Sequence, residues 1–188
     1  MTERWRCFVA VPIGEPLRAA LIGATSVWRE AAGDSDLRWT SPAGWHVTLA
    51  FLGEVHPARV DDTVDRLPAL VDGVGGAVDL APDGLAAWPR PQEARMAWCR
   101  VRPEPWIGEL HNRIAGALGV TERRRFRPHV TLARVRGGRE VPLEMPAALN
   151  EVALPAAPVA EVVLYRSHLH PAGTTYEALS RVPLGVRA

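Results

Sequence analysis

One string of five residues, His-Val-Thr-Leu-Ala, occurs twice in the chain, at 46–50 and again at 129–133. A chance match of that length is rare in 188 residues, so the same local structure is expected at two places. The separation is too long for a solenoid period, and there are only two copies. The pattern predicts two pseudo-equivalent lobes that face each other. Each copy is rich in strand-forming residues. On a strand, residues two apart share a face. His46 and Thr48 therefore share one face, with Val47, Leu49 and Phe51 on the other. His129 and Thr131 share a face in the same way, opposite Val130 and Leu132.

Two such strands would bring two imidazoles and two hydroxyls to one cleft. That is a kit for cleaving a phosphodiester. A neutral histidine takes a proton from the attacking oxygen, and a protonated one donates to the departing oxygen. The hydroxyls of Thr48 and Thr131 can donate to phosphate oxygens. A zinc site is the rival use of two histidines, but catalytic zinc takes about three protein ligands. No H-x-x-x-H, no carboxylate partner and no cysteine pair accompanies these histidines. His168-Leu169-His170 has ligand spacing and lacks a third partner. On these residues a metal site is not the favoured reading.

Around the motifs the chain alternates between strand and helix patterns. Strands are expected over 5–11, 37–39, 46–52 (closed by Gly53), 77–85, 95–101, 130–135, 161–169 and 176–182. Helices are expected over 16–31, 58–70 (cut short by Pro68) and 106–118. The stretch 141–158 reads as an ordered connection. The fold class is α/β (α+β), a single bilobal domain over 1–188 with one motif per lobe, at 46–49 and 129–132. Two mainly antiparallel sheets flanked by helices would enclose the cleft, related by a pseudo-two-fold.

Composition narrows the classes further. The apolar fraction is 47% and no run approaches a bilayer-spanning length, so no membrane association is expected. The opening segment leads into a short strand rather than a signal peptide, which makes the cytoplasm the default. Cys7 and Cys99 sit in apolar surroundings without CxxC spacing and read as buried free thiols. All 22 basic residues are arginine, the side chain that forks onto phosphate. The densest basic run, 123–127, abuts His129. It is either a solvated face or part of the site.

Several segments carry a resemblance to a known family. Arg6 to Val11 resembles its opening strand. Trp39-Thr40-Ser41-Pro42, His46-Val47-Thr48-Leu49 and Phe51-Leu52-Gly53-Glu54 resemble its first motif block, and Phe126 to Arg134 its second. Ser167 to Tyr176 is similar to its C-terminal hairpin. The family is the two-histidine (2H) phosphoesterases, and within it the bacterial RNA 2′,3′-cyclic phosphodiesterases, also known as 2′–5′ RNA ligase-like proteins. The resemblance implies a bilobal fold and hydrolysis of an RNA 2′,3′-cyclic phosphate to a 2′-phosphate, with no metal or organic cofactor. It implies that His46 protonates the departing 3′ oxygen, that His129 activates water, and that Thr48 and Thr131 hold the phosphate. It makes Arg134 a substrate-phosphate residue, although strict alternation from His129 puts that side chain on the opposite face. Phe8 and Trp39 are candidate base-stacking surfaces, since RNA ends are commonly read by stacking. The partners implied are RNA 3′ ends or small cyclic nucleotides, bound by a monomer. No role is expected for His56, His111, His168 or His170. Two other activities stay open: 2′–5′ ligation by the reverse chemistry, and a non-enzymatic RNA-end or nucleotide-binding module.

Overall fold

The structure is a computed structural model that describes residues 3–33, 36–74, 78–121, 124–170 and 173–184. The chain runs β1 (Trp5–Pro12), α1 (Glu15–Ala32), β2 (Leu37–Trp39), β3 (His46–Val55), α2 (Pro57–Val71), β4 (Asp79–Leu80) and β5 (Pro82–Trp88). It continues β6 (Met96–Val101), α3 (Pro105–Ala117), β7 (His129–Val135), β8 (Ala157–Pro158), β9 (Glu161–His170) and β10 (Gly173–Pro183).

All three helices carry proline in the first turn, where a missing N–H costs no intrahelical bond. In α1 the buried residues are Leu17, Leu21, Ala24 and Trp28, one stripe at helical spacing. Pro68 does not cut α2 short, and the helix runs on to Val71. The proline lies in the final turn, where one bond is lost and the burial of Leu67 and Val71 holds the turn in place.

An eight-stranded antiparallel sheet forms the frame, in the order β10-β9-β1-β3-β7-β6-β5, with β2 also paired to β7. The two sheets expected from sequence are joined here at one residue pair, Val47↔Val130. Each valine is the second residue of its motif, and the pair is antiparallel. A two-fold axis relating the halves would have to pass through such a pair. The expected strand over 77–85 is instead two short ones. β4 pairs with β8 in a separate ribbon, and only β5 joins the main sheet.

One face of the sheet packs on the helices. Val47, Leu49, Val130 and Leu132 are fully buried there, in one core with Leu17, Leu21, Leu110 and Ile114. Each such side chain stabilises the fold by roughly 1.5–3 kcal/mol. Cys7 and Cys99 are buried free thiols, as expected. Burial pushes the Cys99 thiol up to about 12, which keeps it protonated and inert. No helix among the described residues is long and apolar enough to cross a membrane.

Candidate active site

The other face of the sheet carries the site. In each motif the strand is not regular. β3 pairs with β1 in one register from Pro12↔His46 to Ala10↔Thr48, and then jumps to Val9↔Ala50. Leu49 is the extra residue of a bulge. β7 pairs with β6 from Arg100↔His129 to Trp98↔Thr131, and then jumps to Ala97↔Ala133. Leu132, at the same motif position, is the extra residue there.

These bulges correct two expectations about which way side chains face. Beyond the bulge Arg134 stands opposite Met96, two residues from Trp98 and four from Arg100. Alternate residues of β6 share a face, so Arg134 returns to the face of His129 and Thr131. By the same step Phe51 stands opposite Phe8 and joins His46 and Thr48, rather than burying with Val47 and Leu49. Phe51 is 41% exposed, and the Arg6 guanidinium lies 4.5 Å from its ring centre. A second bulge follows at Leu52, and Gly53 beyond it adopts φ +73°. Glycine takes that left-handed conformation without strain, so β3 continues to Val55 instead of closing at Gly53.

A cleft of about 880 Å³ opens over this face. His46, Thr48, His129, Thr131 and Arg134 all line it, together with Phe51, Trp88, Trp98 and Tyr176. Arg124, Arg125 and Arg127 of the basic run line its rim, with Phe126 between them. Arg123 lies outside the described residues. The Arg124 guanidinium sits 5.4 Å from the Trp88 ring centre.

Both histidines are anchored in the same way. His46 Nδ1 lies 2.7 Å from the Gly44 carbonyl, and His129 Nδ1 lies 2.7 Å from the Arg127 carbonyl. A carbonyl only accepts, so Nδ1 carries the proton and donates it. In the neutral ring, Nε2 is then the basic nitrogen. The anchor fixes the tautomer that acid–base work at Nε2 requires.

Their surroundings differ. The His46 ring stacks on Phe8 at 4.7 Å and meets Tyr176 edge-on at 5.1 Å. Gly44 makes this possible, because a Cβ there would lie 2.9 Å from the Tyr176 ring. His129 has one aromatic neighbour, Trp98, at 5.0 Å. Burial is the main cause that pushes the His46 pKa down, to about 4. The Gly44 carbonyl opposes the shift, and the charges of His129 and Arg134 add to it. His129 is also lowered, by burial first and by Arg134, against the Arg127 carbonyl.

Two expected site residues lie elsewhere. Phe8 is 4% exposed and packed against His46, Tyr165 at 5.4 Å and Tyr176 at 5.2 Å, so it offers no free surface to a base. Trp39 is half-buried, packs edge-on against Trp28 at 6.3 Å, and is not among the residues that line the cleft. Trp45 is 3% exposed and donates from Nε1 to Thr40. His168 is paired with Glu177, and among the described residues no group of three or more His, Cys, Asp or Glu is placed to hold a metal. Sequence reasoning missed Phe51, Tyr176, Trp88 and Trp98. Only Phe51 had a signal nearby: it occupies the position in the first motif that Arg134 occupies in the second.

Comparison with known proteins places this geometry in a class. The family described as LigT like Phosphoesterase matches residues 11–98 and 101–176. The chain belongs to the LigT-like phosphoesterase family. It is 32% identical to the RNA 2′,3′-cyclic phosphodiesterase of Geobacillus stearothermophilus over 191 aligned positions, covering 97% of this chain and 58% of that protein. It thus spans less than two thirds of that relative's length. It is also 32% identical to the protein of the same name from Aeropyrum pernix, over 73% of this chain and 81% of that protein. Among solved structures, Escherichia coli LigT complexed with ATP superposes with a TM-score of 0.73 at 25% identity, covering 97% of this chain and 99% of that one. A Thermus thermophilus protein superposes with a TM-score of 0.70 at 24% identity, covering 97% of this chain and all of that one, and shares the fold.

Proposed function

We propose that this chain hydrolyses the 2′,3′-cyclic phosphate at an RNA 3′ end to a 2′-phosphate, by acid–base catalysis between His46 and His129 without a metal. The observation that carries the reading is the matched anchoring of two histidines across one cleft. Each presents Nε2, each has a threonine two residues on, and Arg134 stands beside them.

The chemistry follows from those groups. Neutral His129 takes a proton from water as the water oxygen bonds to phosphorus. The bond from phosphorus to the 3′ oxygen breaks, and His46 gives its Nε2 proton to that oxygen. Thr48, Thr131 and Arg134 hold the non-bridging oxygens, where charge builds. The proton gained by His129 and the one lost by His46 re-equilibrate through solvent.

The assignment of roles has support in the cleft itself. The ribose lies on the side of the leaving oxygen, and water attacks from the other side. Phe51, an exposed aromatic ring on the His46 strand, can stack the terminal base on that side. This supports His46 as the acid. In the free protein burial holds His46 neutral at pH 7. A bound phosphodiester anion favours the imidazolium, as an opposite charge nearby does. The anion therefore charges the acid that will act on it.

The test is an oligonucleotide ending in a 2′,3′-cyclic phosphate, incubated with the protein in EDTA. The expected product is the 2′-phosphate. A 3′-phosphate product overturns the leaving-group assignment, and loss of turnover in EDTA overturns metal independence.

A further inference from the structure

His111 is one of two buried polar side chains among the described residues, at 8% exposure. It sits on α3, outside both motifs. Its Nδ1 lies 2.6 Å from the carbonyl of Leu49, the bulged residue of the first motif. Because the carbonyl accepts, Nδ1–H donates. The face of the same ring lies flat on Phe126, with centroids 4.0 Å apart and planes at 5°. Phe126 lines the cleft and immediately precedes Arg127, whose carbonyl anchors His129.

The second bulge has a lock of a different build. Thr40 N–H donates to the Leu132 carbonyl at 2.8 Å, and the Thr40 hydroxyl reaches the Leu132 and Thr131 carbonyls at 2.9 and 2.8 Å. In that half the residue that follows the neighbouring strand β2 delivers the lock. In the first half β3 meets β7 only at Val47, and a helix side chain does the same work.

We infer that His111 is a positioning residue that couples the two motif strands: its Nδ1–H holds the Leu49 bulge, and its ring face holds the loop that anchors His129. The bulge keeps Phe51 on the cleft face with His46 and Thr48. A buried carbonyl at an irregular strand position needs a partner, and the donor from α3 supplies it. The stack on Phe126 fixes the residue next to Arg127, so it reaches the tautomer anchor of His129. One ring therefore sets the relative position of the two proton-transfer groups, where small displacements are costly in rate.

This inference rests on the reading of the cleft as a cyclic phosphodiesterase site, and two variants separate its contacts. His111→Phe keeps a flat ring on Phe126 and loses the donor. His111→Asn keeps an N–H donor near the Nδ1 position and loses the ring. His111→Phe is expected to raise KM for a 2′,3′-cyclic oligonucleotide fivefold or more, with kcat within about threefold, because Phe51 and Thr48 shift. His111→Asn is expected to restore KM and to lower kcat fivefold or more, because His129 loses its anchor. Phe126→Leu, which leaves His111 in place, must repeat the His111→Asn pattern. The ring NMR signals of His46 and His129 in the unliganded variants are a readout that needs no turnover. His111→Phe should move the former and His111→Asn the latter. If wild-type protein turns over nothing, the proposed activity fails and the ring signals still decide the role of His111. Kinetic parameters and ring signals unchanged in both variants would overturn it. So would equal losses in both that follow only a lowered Tm.

Discussion

The two halves of the cleft share five identical residues and differ in nearly everything that touches them. In the first half the neighbours across β1 are Phe8, Ala10 and Pro12. In the second the neighbours across β6 are Met96, Trp98 and Arg100. Immediately past the common string stand Phe51 in one half and Arg134 in the other. His46 is boxed by aromatic rings, while His129 has one such ring and a rim of arginines. The lesson is that a duplicated motif supplies two identically anchored histidines, and the flanking strands make them unequal. One side presents an aromatic ring to the cleft and the other an arginine.

The strongest way to break the comparison is to remove either member. His46→Ala and His129→Ala are each expected to lower kcat by about 10²–10⁴-fold, the range for general acid–base groups. Circular dichroism should be unchanged. If one variant retains full turnover, the two histidines do not act as a pair.

Arg134→Phe makes the second strand copy the first at the position after the bulge. It removes the proposed charge-assisted contact to phosphate, expected to be worth about 1.5–3 kcal/mol, or roughly 10–100-fold in KM. It should also raise the pKa of both histidines, since the Arg134 charge lowers each of them. A KM unchanged in this variant would mean that Arg134 faces the cleft without binding substrate.

That residue also marks the boundary of what the sequence can tell. The two strands, the shared faces of His46 with Thr48 and of His129 with Thr131, and the three helices were legible, because periodicity is a local property. The bulges were not. A bulge is a mismatch in count between a strand and its partner, and no single strand records it. Strict alternation therefore misdirected both Arg134 and Phe51, and the resemblance pointed Arg134 to the cleft where periodicity did not. Phe8 was legible as an aromatic residue on a strand. That its ring would be spent on His46 depends on Tyr165 and Tyr176, which lie at the other end of the chain. His111 carried no local signal, since its partners come from two distant segments.

The aromatic box itself can be opened. Tyr176→Ala admits water to the His46 ring and weakens the burial that lowers it. The His46 pKa should rise from about 4 toward 6.5, while His129, which does not touch Tyr176, moves less. NMR titration of the two rings measures both. The pH optimum of kcat/KM, which reports the free protein, should move upward with His46. If the two rings shift equally, the box is not what makes the halves unequal.

The smallest effect is on stability, and its sign follows from the same box. The unfolded chain binds a proton at His46 near pH 6.5, and the folded chain does so only near 4. Above 6.5 both forms are neutral and the full stability is present. As pH falls through this window the unfolded state gains a proton that the folded state refuses, so stability is lost. Below about 4 both forms are charged and the loss is complete. Carboxylates titrate in part of the same range, so the measurement is a difference between wild type and His46→Gln. Urea midpoints at pH 7 and at pH 4.5 should show wild type losing more, by an amount on the order of 1–3 kcal/mol. The same comparison with His129→Gln should give a smaller difference, because one aromatic neighbour excludes less water than a box. Equal slopes in the two variants would mean that the identical motifs, and not their flanks, set the energetics of the site.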